Sequence, residues 1–135
     1  MALLKAINCT LSTSAASGSN LDNDSTLDFN FHKDGDYTPY AQTKFSGRDG
    51  TGGSTREGDV KTFPLTLYTS TLAKEDISGK SVFHIVITAV GRDHYAGNLQ
   101  AIFQFDDGTV SGFSFDFAVG TFHESHIASA TVVLP

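Results

Sequence analysis

Between residues 82 and 119 apolar side chains recur at every second position through three successive runs. In VFHIVITAV, Phe83, Ile85, Ile87 and Ala89 share one parity, with His84 and Thr88 on the other. In LQAIFQF, Leu99, Ala101, Phe103 and Phe105 alternate with Gln100, Ile102 and Gln104. In VSGFSFDFAV, Phe113, Phe115, Phe117 and Val119 alternate with Gly112, Ser114, Asp116 and Ala118. A strand turns successive side chains to opposite faces, so a period of two predicts a sheet with one buried face. Asp106-Asp107-Gly108-Thr109 supplies a hairpin, and the GRDHYAGN segment, 91–98, reads as a connection. Three consecutive antiparallel strands are the expected centre of the domain.

The same alternation extends outward. Residues 2–11 make a first strand, with Ile7, Cys9 and Leu11 on one parity. Residues 25–31 make a second, with Leu27, Phe29 and Phe31 inward and Asp28 and Asn30 outward. His32-Lys33-Asp34-Gly35-Asp36 then turns the chain. Residues 37–45 hold a short irregular strand, and Pro39 argues for an edge or a loop. Phe63, Leu65 and Leu67 restore alternation over 59–68, where Pro64 again marks an edge. Residues 70–79 allow one helical turn and no more. Residues 127–134 form the last strand. The expected fold is all-β: one domain over 1–135, an antiparallel β-sandwich of seven or eight strands. Its core should contain Phe29, Phe31, Phe63, Leu65, Leu67, Ile85, Ile87, Phe103, Phe105, Phe113, Phe115 and Phe117.

Composition agrees: 11 Phe pack a core, and 13 Gly beside many Ser, Thr, Asn and Asp supply turns. A net charge of −6 makes a nucleic-acid backbone a poor partner, and a bare anionic membrane as well unless a bound cation inverts the local sign. No stretch is apolar enough for a transmembrane helix. The opening MALLKAINCTLSTSAAS has one Lys and no uninterrupted apolar core, so no signal peptide is expected. A single Cys9 makes no internal disulfide and fits a reducing compartment, with export lacking a signal peptide the other expectation. Its parity predicts a buried core thiol.

Three acidic groups stand out: Asp22, Asp24 and Asp28; Asp34 and Asp36; Asp93, Asp106 and Asp107. Loops at one end of a sandwich can gather the six to eight oxygens that calcium prefers. No segment has EF-hand spacing, and turn formation also accounts for these residues. His123 and His126 would point to opposite faces of a strand, and no third ligand lies nearby, so they read as a polar corner. The stretch 46–58 contains five glycines and Arg48 but lacks the Lys of a phosphate loop. It reads as a mobile surface loop or a bed for a ligand. Nucleophile-elbow and zinc-protease motifs are absent, and nothing argues for an enzyme. Tyr37, Tyr40 and Tyr95 lie in or beside expected loops, where an aromatic face with a polar tip suits sugar stacking or an interfacial contact.

The segments GDVKTFPLTL, SVFHIVITAV, GRDHYAGNLQAIFQF and DDGTVSGFSFDF, with SNLDNDSTLDFNF upstream, together resemble the PLAT (lipoxygenase-homology) domain, a relative in shape of C2 domains. The chain has no Trp where that family usually carries two. Tyr95 stands at the first position and Ala118-Val119 at the second. The resemblance implies binding without catalysis, to lipid headgroups or a protein partner through end loops, with calcium in some members. The matching ion positions would be Asp22, Asp24 and Asp93. The candidate ligand contacts read from the residues themselves are Tyr37, Tyr40, Tyr95 and Arg48. Read from residues alone, the Gly-rich loop, the Asn and Asp abundance and the tyrosines fit a carbohydrate-binding module or lectin equally. A small component of a toxin or coat assembly is a third reading.

Overall fold

The computed structural model describes residues 2–13, 26–46, 60–88, 92–122 and 125–135, with backbone alone at 45–46, 88, 92–95, 118–122 and 125–126. Nine strands and one helical turn are found among them: β1 (Leu4–Thr13), β2 (Thr26–Lys33), β3 (Pro39–Ser46), β4 (Val60–Pro64), β5 (Thr66–Leu67), α1 (Lys74–Ile77), β6 (Ser81–Thr88), β7 (Arg92–Phe105), β8 (Val110–Phe122) and β9 (Ser125–Thr131). They form two antiparallel sheets, in the orders β4-β1-β7-β8 and β5-β3-β2-β6-β9. The chain is an all-β sandwich. The two-residue β5 brings the strands to nine where the alternation predicts seven or eight. No helix among the described residues is long and apolar enough to cross a membrane.

The inward parity packs the two sheets together. Phe29, Phe31, Phe83, Ile85 and Ile87 of one sheet and Ile7, Leu11, Phe103 and Phe105 of the other are fully buried. Rings meet across the interface: Phe29 with Phe63 at 5.0 Å between centroids, and Phe31 with Phe103 at 5.4 Å. Tilted and edge-on contacts at such distances favour the ring quadrupoles as well as burying area. Most of the expected core is buried, Phe117 included. Leu67, Phe113 and Phe115 are only partly covered. Phe113 and Phe115 do face inward, but β8 is the outermost strand of its sheet among the described residues, so no further strand of that sheet flanks them there.

The expected three-stranded centre is divided between the sheets. β6 pairs with β2 and β9, whereas β7 pairs with β1 and β8. Alternation assigns each residue to a face and is silent about which strand lies alongside. Crossing between sheets lets the apolar face of β6 oppose that of β7, with Phe83 and Phe103 6.4 Å apart. The 91–98 connection is also corrected: β7 is already strand from Arg92, and Arg92 to Asn98 pair with Phe122 to Asp116. Gly97 of this segment sits in the ladder opposite Thr13 and Phe117. Pro64 lies on an edge strand as expected, and Pro39 is the first residue of β3.

The β7–β8 hairpin closes as the DDGT segment predicts. Gly108 N–H donates to the Phe105 carbonyl at 3.0 Å, and Phe105 N–H donates to Thr109 at 2.9 Å. Gly108 takes φ +86° between them, and a side chain there would meet no neighbouring atom. Gly108→Ala should therefore lose about 1–2 kcal/mol through backbone strain alone. Thermal or urea unfolding of the variant checks this, and a neutral result would contradict the left-handed turn. The hairpin tip is moored to the N-terminal segment, since Asp106 N–H donates to Leu3 O at 2.8 Å and Leu3 N–H to Asp106 Oδ1 at 2.9 Å.

The helical turn α1 seals one end of the sandwich with Ile77, beside Leu72 and Ala73, all buried. Asp76 accepts the Ala73 N–H at 3.0 Å and Ser81 Oγ donates to the Ile77 carbonyl at 2.7 Å, which satisfies groups at both ends of the turn.

Candidate functional site

Outward parity on the five-stranded sheet builds a polar surface. β2 contributes Asp28, Asn30 and His32, β6 contributes Val82, His84 and Val86, and β9 contributes Ile127, Ser129 and Thr131. Register sets Asn30, His84 and Ser129 in one row and His32, Val82 and Thr131 in the next. His32 and His84 are thus diagonal neighbours, and His32 Nε2 lies 3.3 Å from His84 Nδ1. His32 Nδ1 lies 2.7 Å from the Lys33 carbonyl oxygen.

The turn after β2 folds an aromatic ring onto this pair. Asp36 N–H donates to the Lys33 carbonyl at 3.0 Å, and Gly35 takes φ +83°. Asp36 Oδ1 accepts the Thr38 N–H at 3.0 Å. Hydrogen bonds from the Thr38 backbone and then its side chain hold the Asp36 carboxyl below the usual carboxylate range. Between these anchors Tyr37 lies against both imidazoles, 5.1 Å from His32 and 5.9 Å from His84 by ring centroid. Tyr37 is nevertheless 76% exposed, whereas His32 beneath it is buried.

Beside these rings runs a groove of about 440 Å³ whose walls include Asp34, Tyr37, His84 and Ser129. Elsewhere on this sheet face Asn30 and Gln42 both donate to Asp28 Oδ1, at 3.2 and 2.9 Å. His84 Nε2 is buried and has no hydrogen-bond partner among the described residues. Burial, then the neighbouring His32, lowers the His84 pKa below the ordinary histidine value, against a smaller upward pull from Asp28. The net shift favours the neutral ring.

Of the residues singled out by sequence, Tyr37 and Asp34 line this groove. Tyr40 lies in β3, not in a loop, and is half-buried against Phe31 at 5.5 Å. A bulge between Phe31 and His32 admits it as the extra residue that turns toward the core. Tyr95 and Asp93 are strand residues of β7, opposite Val119 and Thr121, where a loop was expected. Asp22, Asp24 and Arg48 lie outside the described residues, as does His123. His126 is in β9 opposite Ile87. No group of three or more His, Cys, Asp or Glu among the described residues could hold a metal ion.

Sequence reading missed His32 and His84. Alternation marks His84 as outward, but nothing local to either histidine reveals that residues 26–33 lie beside 81–88. Two other hollows lie by Asn98, Asp116 and Phe117 and by Lys5 and Tyr68. No protein-family model and no curated protein matches the chain.

Proposed function

We propose that this chain is a non-catalytic carbohydrate-binding module whose sugar sits in the groove beside Tyr37. One observation carries the reading: an aromatic ring left three-quarters exposed while braced from below by two imidazoles. An exposed side chain held in place without a core role loses little entropy on meeting a flat ligand. Its face suits the C–H side of a pyranose, and Ser129 and Asp34 on the groove wall offer polar groups for hydroxyls. Docking to lipid headgroups or to a protein, with calcium, rests instead on Asp22, Asp24 and Arg48, outside the described residues, and on Asp93, whose backbone lies in β7.

A glycan array followed by titration of the best ligand tests this. Tyr37→Ala should weaken binding at least about tenfold, equivalent to about 1.4 kcal/mol, and Tyr37→Phe should bind nearly as wild type. An array without hits, together with calcium-dependent pulldown on anionic liposomes, would replace the sugar reading by the lipid one.

A further inference from the structure

We infer that the groove takes a saccharide bearing a free amine, whose ammonium pairs with Asp34 while its ring stacks on Tyr37. The inference rests on the carbohydrate reading and names the class of sugar. It starts from how the aspartates of this chain are used. Asp28, Asp36, Asp76, Asp106, Asp107 and Asp116 each accept a hydrogen bond from an N–H of the chain. The Asp34 carboxylate accepts none among the described residues. Its backbone is nevertheless fixed, because the Asp34 N–H donates to the Lys80 carbonyl at 2.9 Å. Neither the Lys80 ammonium nor that of Lys33, the preceding residue, forms an ion pair with it among the described residues. Asp34 thus stands on the groove wall with its oxygens unclaimed.

A carboxylate in that state decides what the ligand must bring. A sugar laid on Tyr37 covers the groove and strips water from Asp34, and a charge that loses water is costly unless it is paired. A hydroxyl supplies a hydrogen bond and no charge. A protonated amine supplies both, in a charge-assisted contact roughly twice as strong as a neutral one. Asp34 is the one Asp, Glu, Lys or Arg among the described residues that line the groove, so no lysine or arginine there competes for it. The exposed face of Tyr37 favours the same ligand, since a ring quadrupole attracts a cation within about 6 Å of its centroid. At longer range a chain charge of −6 concentrates cations around the protein. A uronate or a sulfated sugar would meet Asp34 as a like charge.

Calorimetric titration of the full chain at pH 6, where a sugar amine carries its proton, tests this. The probes are the glucosamine trimer, its fully N-acetylated counterpart, trigalacturonate and trilysine. The glucosamine trimer should bind at least about tenfold tighter than the acetylated trimer. Trilysine, which has the charge without the sugar ring, should be weaker by a similar factor, and trigalacturonate should not bind. Amide spectra should place the response to the glucosamine trimer at Asp34, Gly35, Tyr37 and Ser129. Asp34→Asn, which keeps an acceptor oxygen, should bring the two sugar trimers to nearly equal affinity, and Asp34→Glu should keep their order. Three results overturn the inference: an acetylated trimer bound as tightly or more so, a preference intact in Asp34→Asn, or trilysine bound as tightly as the glucosamine trimer. The sugar reading then stands on the neutral ligands of the array. If no sugar trimer binds and the array is empty, both fall. Should Asp34→Asn not fold, the wild-type ranking of the four probes still decides.

Discussion

Phe31→Ala should destabilise the protein by about 3–5 kcal/mol, the range for deleting a fully buried aromatic side chain. Phe31 is inaccessible to solvent and touches the rings of Tyr40, Phe83 and Phe103 at 5.5, 5.6 and 5.4 Å. The cavity would open where the two sheets meet, among stiff neighbours that collapse poorly into it. Whole domains are typically stable by only about 5–15 kcal/mol, so the variant should be close to unfolding at room temperature. Phe115→Ala is the control. It has the same residue type and the same inward parity, but Phe115 is half-buried on an outermost strand and should lose less than about 2 kcal/mol. Urea denaturation of both variants gives the comparison. Equal losses would mean that β8 is covered more completely than its position in the sheet allows.

Cys9 should behave as a chemically silent thiol until the protein unfolds. Its side chain is wholly buried between Phe63 and Ala101 on the neighbouring strands, and burial pushes its pKa up to about 12. At pH 8 an ordinary cysteine is roughly one-quarter thiolate. A thiol of pKa about 12 is ionised to only about one part in ten thousand at that pH. Labelling with an aromatic disulfide should thus be slowed more than a thousandfold by ionisation alone, with exclusion of the reagent added to that. The residual rate should rise with urea in step with global unfolding. Labelling at the rate of a free thiol in native buffer would show that β1 opens locally. The same shift makes stability fall as pH rises above the ordinary thiol range, because the unfolded chain loses that proton while the folded one retains it.

Faces were legible in this sequence, and neighbours were not. Phe29, Phe31, Ile85, Ile87, Phe103 and Phe105 are all buried as their parity requires, because alternation is a local property of each strand. The Asp106-Asp107-Gly108 turn is local too, and it forms as expected. What failed depends on partners. The 91–98 stretch is rich in the residues of a connection, yet β8 is long enough to pair with it from Arg92 onward. Phe113 and Phe115 have the right parity, but their exposure is decided by the absence of a strand beyond β8 in the sheet order. The groove is the clearest case. His32 belongs to a segment that reads as a turn and His84 to one that reads as core. Only the register between β2 and β6 makes them a pair. Tyr37 could be picked out beforehand as an aromatic next to a Gly-containing turn, since that signal lies within a few residues of it.

The place of β1 in its sheet bears on how the chain is made. Among the described strands this one leaves the ribosome first, but its lateral partners are β4 and β7, and Cys9 faces Phe63 on one side and Ala101 on the other. The β4 flank is complete only at Pro64, and the β7 flank begins only at Arg92. Ile7, Cys9 and Leu11 must therefore wait as unpaired apolar sequence through much of translation, a period in which a chaperone or a neighbouring nascent chain can reach them. Once both flanks are present, closure of these long-range ladders belongs to the slow class of topologies, with folding on the order of milliseconds to seconds. An early ribosomal stall would release a strand with no sheet to join.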